Sequence, residues 1–165
     1  MALPTKVLAG FSAAMYAQSG ATPSALTLAQ LGTLANVSAI AISANQLLIE
    51  AIPAFGQDDA VASFSVAGSR QGDKIPTQAA PTSMSIVAAW NPNDTVIQQV
   101  RTDAYSIGGT ERTYVISATD GTGVVYYAFN ARVGNFQIDS QPSAEAKATF
   151  TLHPRGNMYG WTATA

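Results

Sequence analysis

The stretch Thr82-Ser-Met-Ser-Ile-Val-Ala-Ala-Trp-Asn-Pro-Asn-Asp-Thr-Val-Ile-Gln-Gln-Val-Arg-Thr-Asp103 changes its hydrophobic period halfway along. Met84, Ile86 and Ala88 alternate with Ser83, Ser85 and Val87, the period-2 pattern of a strand with one buried face. From Asn91 the period lengthens. Val96, Ile97, Val100 and Ala104 form one stripe at helical spacing, while Gln98, Gln99, Arg101 and Thr102 fall largely outside it. Asn91 is expected to cap this helix, Pro92 to fill its first position, and Asp94 to lie near its positive end. A strand running into one short helix over about residues 92–103 is therefore the predicted centre of the fold.

Three further strands are predicted after Gly108-Gly109. They are residues 113–119 (Tyr114, Ile116 and Ala118 alternating), 124–133 (Val125, Tyr127, Phe129, Ala131 and Val133) and 144–152 (Ala146, Ala148, Phe150 and Leu152). Asp120-Gly121-Thr122-Gly123 reads as the tight connection between the first two. Residues 134–143 read as turn-rich. Residues 154–165, with Gly156, Gly160 and Trp161, read as a short C-terminal tail.

Working toward the start, residues 61–66 read as a strand returning from residues 46–52, a long hairpin over about residues 46–66. Its turn is residues 53–59, with Gly56 and the pair Asp58-Asp59 at the tip. Residues 37–42 read as a strand. Residues 26–34 stay ambiguous, since Leu28, Leu31 and Leu34 recur at helical spacing but Gly32 and two threonines oppose a helix. Residues 7–17 alternate as an opening strand. Residues 68–81, punctuated by Gly68, Gly72, Pro76 and Pro81, read as a long irregular loop. The expectation is a single mainly β domain over residues 1–165, a sandwich or barrel flanked by one helix.

Composition narrows the function. Of 165 residues, 47% are apolar and only 11% charged, against about 25% charged in an average soluble domain. Interfaces are depleted in Lys, Glu and Asp, so this points to surfaces that end against other protein. A secreted or extracellular β domain is the alternative. The net charge of −2 and scattered cations leave no basic footprint for nucleic acid. The chain has no cysteine, which excludes disulfides and thiolate chemistry. No run reaches the roughly 18 apolar residues of a membrane helix. Lys6 followed by residues 7–17 loosely resembles a signal peptide, but Gly10, Ser12 and Tyr16 interrupt the run, and cleavage is not expected.

No catalytic constellation is expected. His153 is the single histidine, so neither a Ser-His-Asp set nor a multi-histidine metal site can form within one chain. Asp58-Asp59 lacks a calcium-loop pattern and reads as a solvated or interface tip. Gly68-Ser-Arg-Gln-Gly-Asp-Lys74 matches no phosphate-loop spacing. Tyr126-Tyr127 and Phe129 read as core and interface packing rather than a base-stacking platform. No cofactor is expected.

The stretch Gly68–Lys74, the strand Ser83–Trp90, the run Asn91-Pro-Asn-Asp-Thr-Val-Ile-Gln-Gln-Val100, and three strands ending in Ala148-Thr-Phe-Thr-Leu152 before Gly156 resemble the bacteriophage major tail tube protein family, over about residues 37–156. The resemblance implies a β-sandwich or barrel with one flanking helix. It implies six copies in a ring, and rings stacked into a hollow tube that conducts the genome during ejection. It also implies a tape measure protein in the lumen, tail terminator and baseplate or tail-tip partners, and DNA that transits without specific binding. Such a protein resides in the virion tail, is assembled in the host bacterial cytoplasm, and is not an enzyme. By the same analogy Pro53, Ala54, Phe55, Gly56, Gln57, Asp58 and Asp59 are the expected contact between rings. A virion decoration or receptor-binding β domain is the alternative of a different class. Residues 7–34 match nothing in the family pattern.

Overall fold

The computed structural model describes residues 12–21, 24–64, 73–119, 123–140 and 145–164. In chain order the elements are β1 (Ser12–Ala17), α1 (Leu28–Leu31), α2 (Leu34–Ile40), β2 (Gln46–Leu47), β3 (Gln57–Phe64), β4 (Asp73–Pro81), β5 (Met84–Ala89), α3 (Thr95–Tyr105), β6 (Glu111–Thr119), β7 (Gly123–Asp139) and β8 (Lys147–Thr164). Six strands form one antiparallel sheet in the order β2-β1-β6-β7-β8-β5, and β3 with β4 form a separate hairpin. The fold is mainly β, as the alternation in the second half predicts.

The sheet curls until its ends approach. The chain leaving β2 crosses from the β1 edge to the β5 edge, where Ile49 bridges Ala88. Ala89 N–H donates to Leu48 O at 2.8 Å and Glu50 N–H to Val87 O at 3.0 Å. Residues 46–50 thus bridge the two sheet edges, and the exposed Glu50–Lys147 ion pair fastens this strap to β8.

One face of each strand in the six-stranded sheet fills the interior. Met15 and Ala17 from β1, Tyr114 and Ile116 from β6, Phe129, Ala131 and Val133 from β7, Phe150 and Leu152 from β8, and Met84 and Ile86 from β5 are buried together. Helix α3 adds Val96, Ile97 and Val100 to this core. On the opposite face of β6 and β7, Val115 and Ala128 receive Leu31, Val37 and Ile40 from α1 and α2. A closed set of hydrogen bonds pins the lead-in to that pair. Leu26 N–H donates to Thr113 Oγ1 at 2.9 Å, Thr113 Oγ1 to Asn130 Oδ1 at 2.7 Å, and Asn130 Nδ2 to Leu26 O at 2.8 Å.

Several expectations are corrected. Residues 37–42 are not a strand: residues 34–40 are helical, because Val37 and Ile40, three apart, then fall on one face with Leu31 and bury it on β6 and β7. More than one helix therefore flanks the barrel. Residues 46–66 are not a hairpin; β2 pairs with β1, and the long hairpin instead joins β3 to β4, from Gln57↔Pro81 to Phe64↔Asp73. Residues 73–81, expected to be loop, are its second strand. The opening strand is described from Ser12. Helix α3 is capped by Asp94, whose Oδ1 accepts from Val96 N–H at 2.9 Å, while Asn91 Oδ1 accepts from Asn93 N–H at 2.9 Å in the preceding turn. Residues 134–139 extend β7 past a bulge where Asn135 takes φ 53°. Residues 154–164 are not a free tail but continue β8 alongside β7.

Candidate functional site

The expected contact segment, residues 53–59, is divided between two roles. Pro53 and Phe55 fold back onto the barrel, where the Phe55 ring lies 5.1 Å from Tyr127 at 58°. With Ala54, Ile52, Ala13, Ile116, Ala118 and Tyr127 they line an apolar groove of about 370 Å³. Gly56 turns the chain outward, its carbonyl accepting from Thr82 N–H at 3.1 Å. Gln57, Asp58 and Asp59 then open β3 and are exposed, opposite Pro81, Ala80 and Ala79 of β4. Asp58 and Asp59 form no ion pair with a described residue.

Two features bear on assembly. The β3–β4 hairpin belongs to no larger sheet, although a lone two-stranded hairpin is marginal in water. Strand β8 is 18 residues long, but β5 pairs only with its residues 147–152. Among the described residues no strand pairs with that edge of β8 beyond residue 152. An unprotected edge is a template for another strand.

Chemistry-bearing residues do not converge. His153 is exposed, with Nδ1 3.0 Å from Ser83 Oγ, and stands opposite Arg132 on β7. Glu111 is shared by Arg155 at 2.8 Å and Arg132 at 4.0 Å. Among the described residues no three His, Cys, Asp or Glu side chains are grouped as a metal site would require. No described helix is long and apolar enough to cross a membrane. Residues 68–72 of the glycine-containing stretch lie outside the described residues; Asp73 and Lys74 open β4. Tyr126 packs toward α1 and α2 and Tyr127 toward the barrel interior.

The sequence reading missed a buried ion pair that fastens α3. Arg112 is fully buried on β6, and its Nε and Nη2 donate to Asp103 Oδ2 and Oδ1 at 2.5 and 3.1 Å. Its Nη1 donates to Gln18 O and, at 3.3 Å, to Gln99 Oε1. Burial pushes the neighbouring Tyr114 hydroxyl well above the ordinary tyrosine range, and the Asp103 carboxylate raises it further. A signal was present. Arg112 shares the parity of Tyr114 and Ile116, so it points inward, and Asp103 falls at the next turn of the Val96–Val100 stripe.

No protein-family model matches the sequence, and no curated protein is similar to it in sequence. Solved structures are similar in shape. A chain of the sheath–tube complex of PVC, an extracellular contractile injection system in the extended state, matches with a TM-score of 0.65 and 10% identity over 96% of this chain and 94% of that one. A chain of the PVC sheath/tube terminator matches with a TM-score of 0.62 and 11% identity over 98% and 97%. The tail tube of SPP1 matches with a TM-score of 0.53 and 11% identity over 93% and 77%. Across nearly its whole length, then, this chain has the fold seen in phage tail tube and contractile injection system tube assemblies.

Proposed function

We propose that this chain is a structural subunit of a tail-like tube. Six copies close into a ring, and rings stack around a hollow lumen. The carrying observation is the fold shared with tube assemblies over almost the full length of both chains. The stretch of β8 beyond residue 152 and the β3–β4 hairpin support it, because among the described residues no further strand pairs with their outer edges, and such an edge can accept a strand of another copy. The low charge content fits surfaces covered by neighbours.

In this reading the chain is not an enzyme. Residues 53–59 lie at the contact between rings. A tape measure protein occupies the lumen before ejection, a terminator and a baseplate or tail-tip complex close the two ends, and DNA transits without specific binding. A net acidic ring suits that passage, because nucleic-acid affinity comes from neutralised phosphates. The protein belongs to the virion tail and is assembled in the host bacterial cytoplasm.

Electron microscopy of the purified chain across a concentration series, with and without tube fragments as seeds, tests the reading. Rings or hollow tubes are the expected result. Dispersed particles at every concentration, seeded or not, overturn it.

A further inference from the structure

Two surfaces at opposite ends of β5 are left uncovered, and they are complementary. The first lies beyond its C-terminal end. The Arg101 guanidinium sits 5.9 Å from the Trp90 ring centroid and 5.8 Å from that of Tyr105. Tyr105 is 65% exposed, and its ring meets Phe136 edge-on at 6.4 Å. Ile107, two residues further on, is fully exposed, and Ile138, two residues past Phe136, is 41% exposed.

Among the described residues Arg101 also lacks a counter-charge. Arg112, Arg132, Lys147 and Arg155 each hold a carboxylate. Arg101 has only a long bond to Gln98 Oε1 at 3.5 Å, and no described carboxylate reaches it. A cation flanked by two aromatic rings keeps part of its charge unsatisfied. Trp, Tyr and Arg beside exposed aliphatic side chains are the residue types that dominate interface energies.

The second surface is the start of β3. Asp58 and Asp59 are exposed and lack a cationic partner among the described residues, and Val61 beside them is 54% exposed. Val61 lies against Pro76 past a register shift, and Asp58 and Asp59 lie against Ala80 and Ala79, just before β5. The first surface lies just after it. The six residues of β5 span about 20 Å, which keeps the two surfaces apart within one copy.

We propose that the Trp90–Arg101–Tyr105 surface of one copy receives the Asp58–Asp59–Val61 edge of β3 from a second copy, head to tail. The contact rests on the tube reading and deepens it, giving the acidic start of β3 a receiving surface. It is heterologous, joining two different patches, so it repeats from copy to copy instead of ending at a dimer. The carboxylates supply the counter-charge Arg101 lacks, and Val61 meets Ile107 and Ile138.

Charge reversal on each side gives a decisive test. In R101E, two acidic surfaces face each other; in D58K/D59K, two basic ones do. Neither variant is expected to assemble below ten times the onset concentration of the native chain. An equimolar mixture is complementary at every junction and is expected to assemble near the native onset, read by light scattering and electron microscopy. Circular dichroism melts confirm that each variant is folded. Should R101E not fold, R101Q is expected to raise the onset about tenfold. Folded single variants that assemble like the native chain overturn this contact and leave the tube reading intact. Failure of the mixture to recover assembly also overturns it. A native chain that never assembles removes the tube reading itself, and this contact with it.

Discussion

Replacing Asp103 by alanine tests whether charge fastens α3 to the barrel. Asp103 is 2% exposed and Arg112 is fully buried. In the native chain the guanidinium gives two donors to the carboxylate, one of them at 2.5 Å. The substitution leaves the guanidinium buried with only neutral acceptors, the carbonyl of Gln18 and the amide oxygen of Gln99. Removing one partner of a buried ion pair costs about 3–5 kcal/mol, mostly the penalty of the charge left behind. Native domains hold only about 5–15 kcal/mol in total. Each kcal/mol shifts the midpoint by about 2–4 °C at this size, so a fall of roughly 10 °C is expected. The assay is urea unfolding followed by circular dichroism, with an unchanged m-value as evidence that stability alone moved. The apolar pair D103L/R112M removes both charges at once and should recover most of the loss. A D103A loss below about 1 kcal/mol, or a double variant less stable than D103A, would refute the reasoning, because the cost would then not come from an orphaned charge.

Three other substitutions probe the core, the helix cap and the alkaline limit. Phe150→Ala removes a fully buried ring stacked 5.8 Å from Phe136 and should cost about 3–5 kcal/mol by the same unfolding assay. Asp94→Ala removes the oxygen that accepts from Val96 N–H and should cost about 1 kcal/mol. Tyr114 has a raised folded-state pKa, so its neutral form stabilises the fold below the unfolded value and that contribution is lost as pH rises. Thermal midpoints of the native chain should therefore fall above about pH 10, and Tyr114→Phe should flatten that fall.

The second half of the fold was legible because its strands have one buried face and simple neighbours. Tyr114, Ile116, Phe129, Ala131, Phe150 and Leu152 alternate cleanly, and all are buried. Legibility failed where tertiary contact overrode local preference. Val37 and Ile40 favour strands by branching, yet two sites on the back of the sheet, Val115 and Ala128, are better filled from a helix. Residues 154–165 read as a short tail, but β8 continues through Pro154, Gly156 and Gly160 to Thr164 as an edge strand, which tolerates proline. The extra residues near Gly156, with φ 72°, are absorbed as an irregularity in its pairing with β7. The hairpin was shifted because pairing between residues 46–50 and two distant strands leaves no trace in local periodicity. At the contact segment, the exposure of Asp58 and Asp59 was legible from their charge, but they open β3 and do not form the tip of a turn. The return of Phe55 onto Tyr127 was not, since it depends on where the barrel wall stands.

The place of β5 in the sheet has a consequence during synthesis. Among the described residues its only paired strand is β8, Met84 against Leu152 through Ala89 against Lys147, while the strap residues 48–50 cover its other side. A ribosome adding about 5–20 residues each second needs several seconds to cover the roughly 60 residues between β5 and β8. Throughout that interval Met84, Ile86 and Ala88 have no barrel to enter, and a nascent chain stands exposed to neighbours on the same messenger. Slowing elongation between these strands should therefore raise aggregation during expression, and a trigger-type chaperone should suppress it, with the folded protein unchanged in either case.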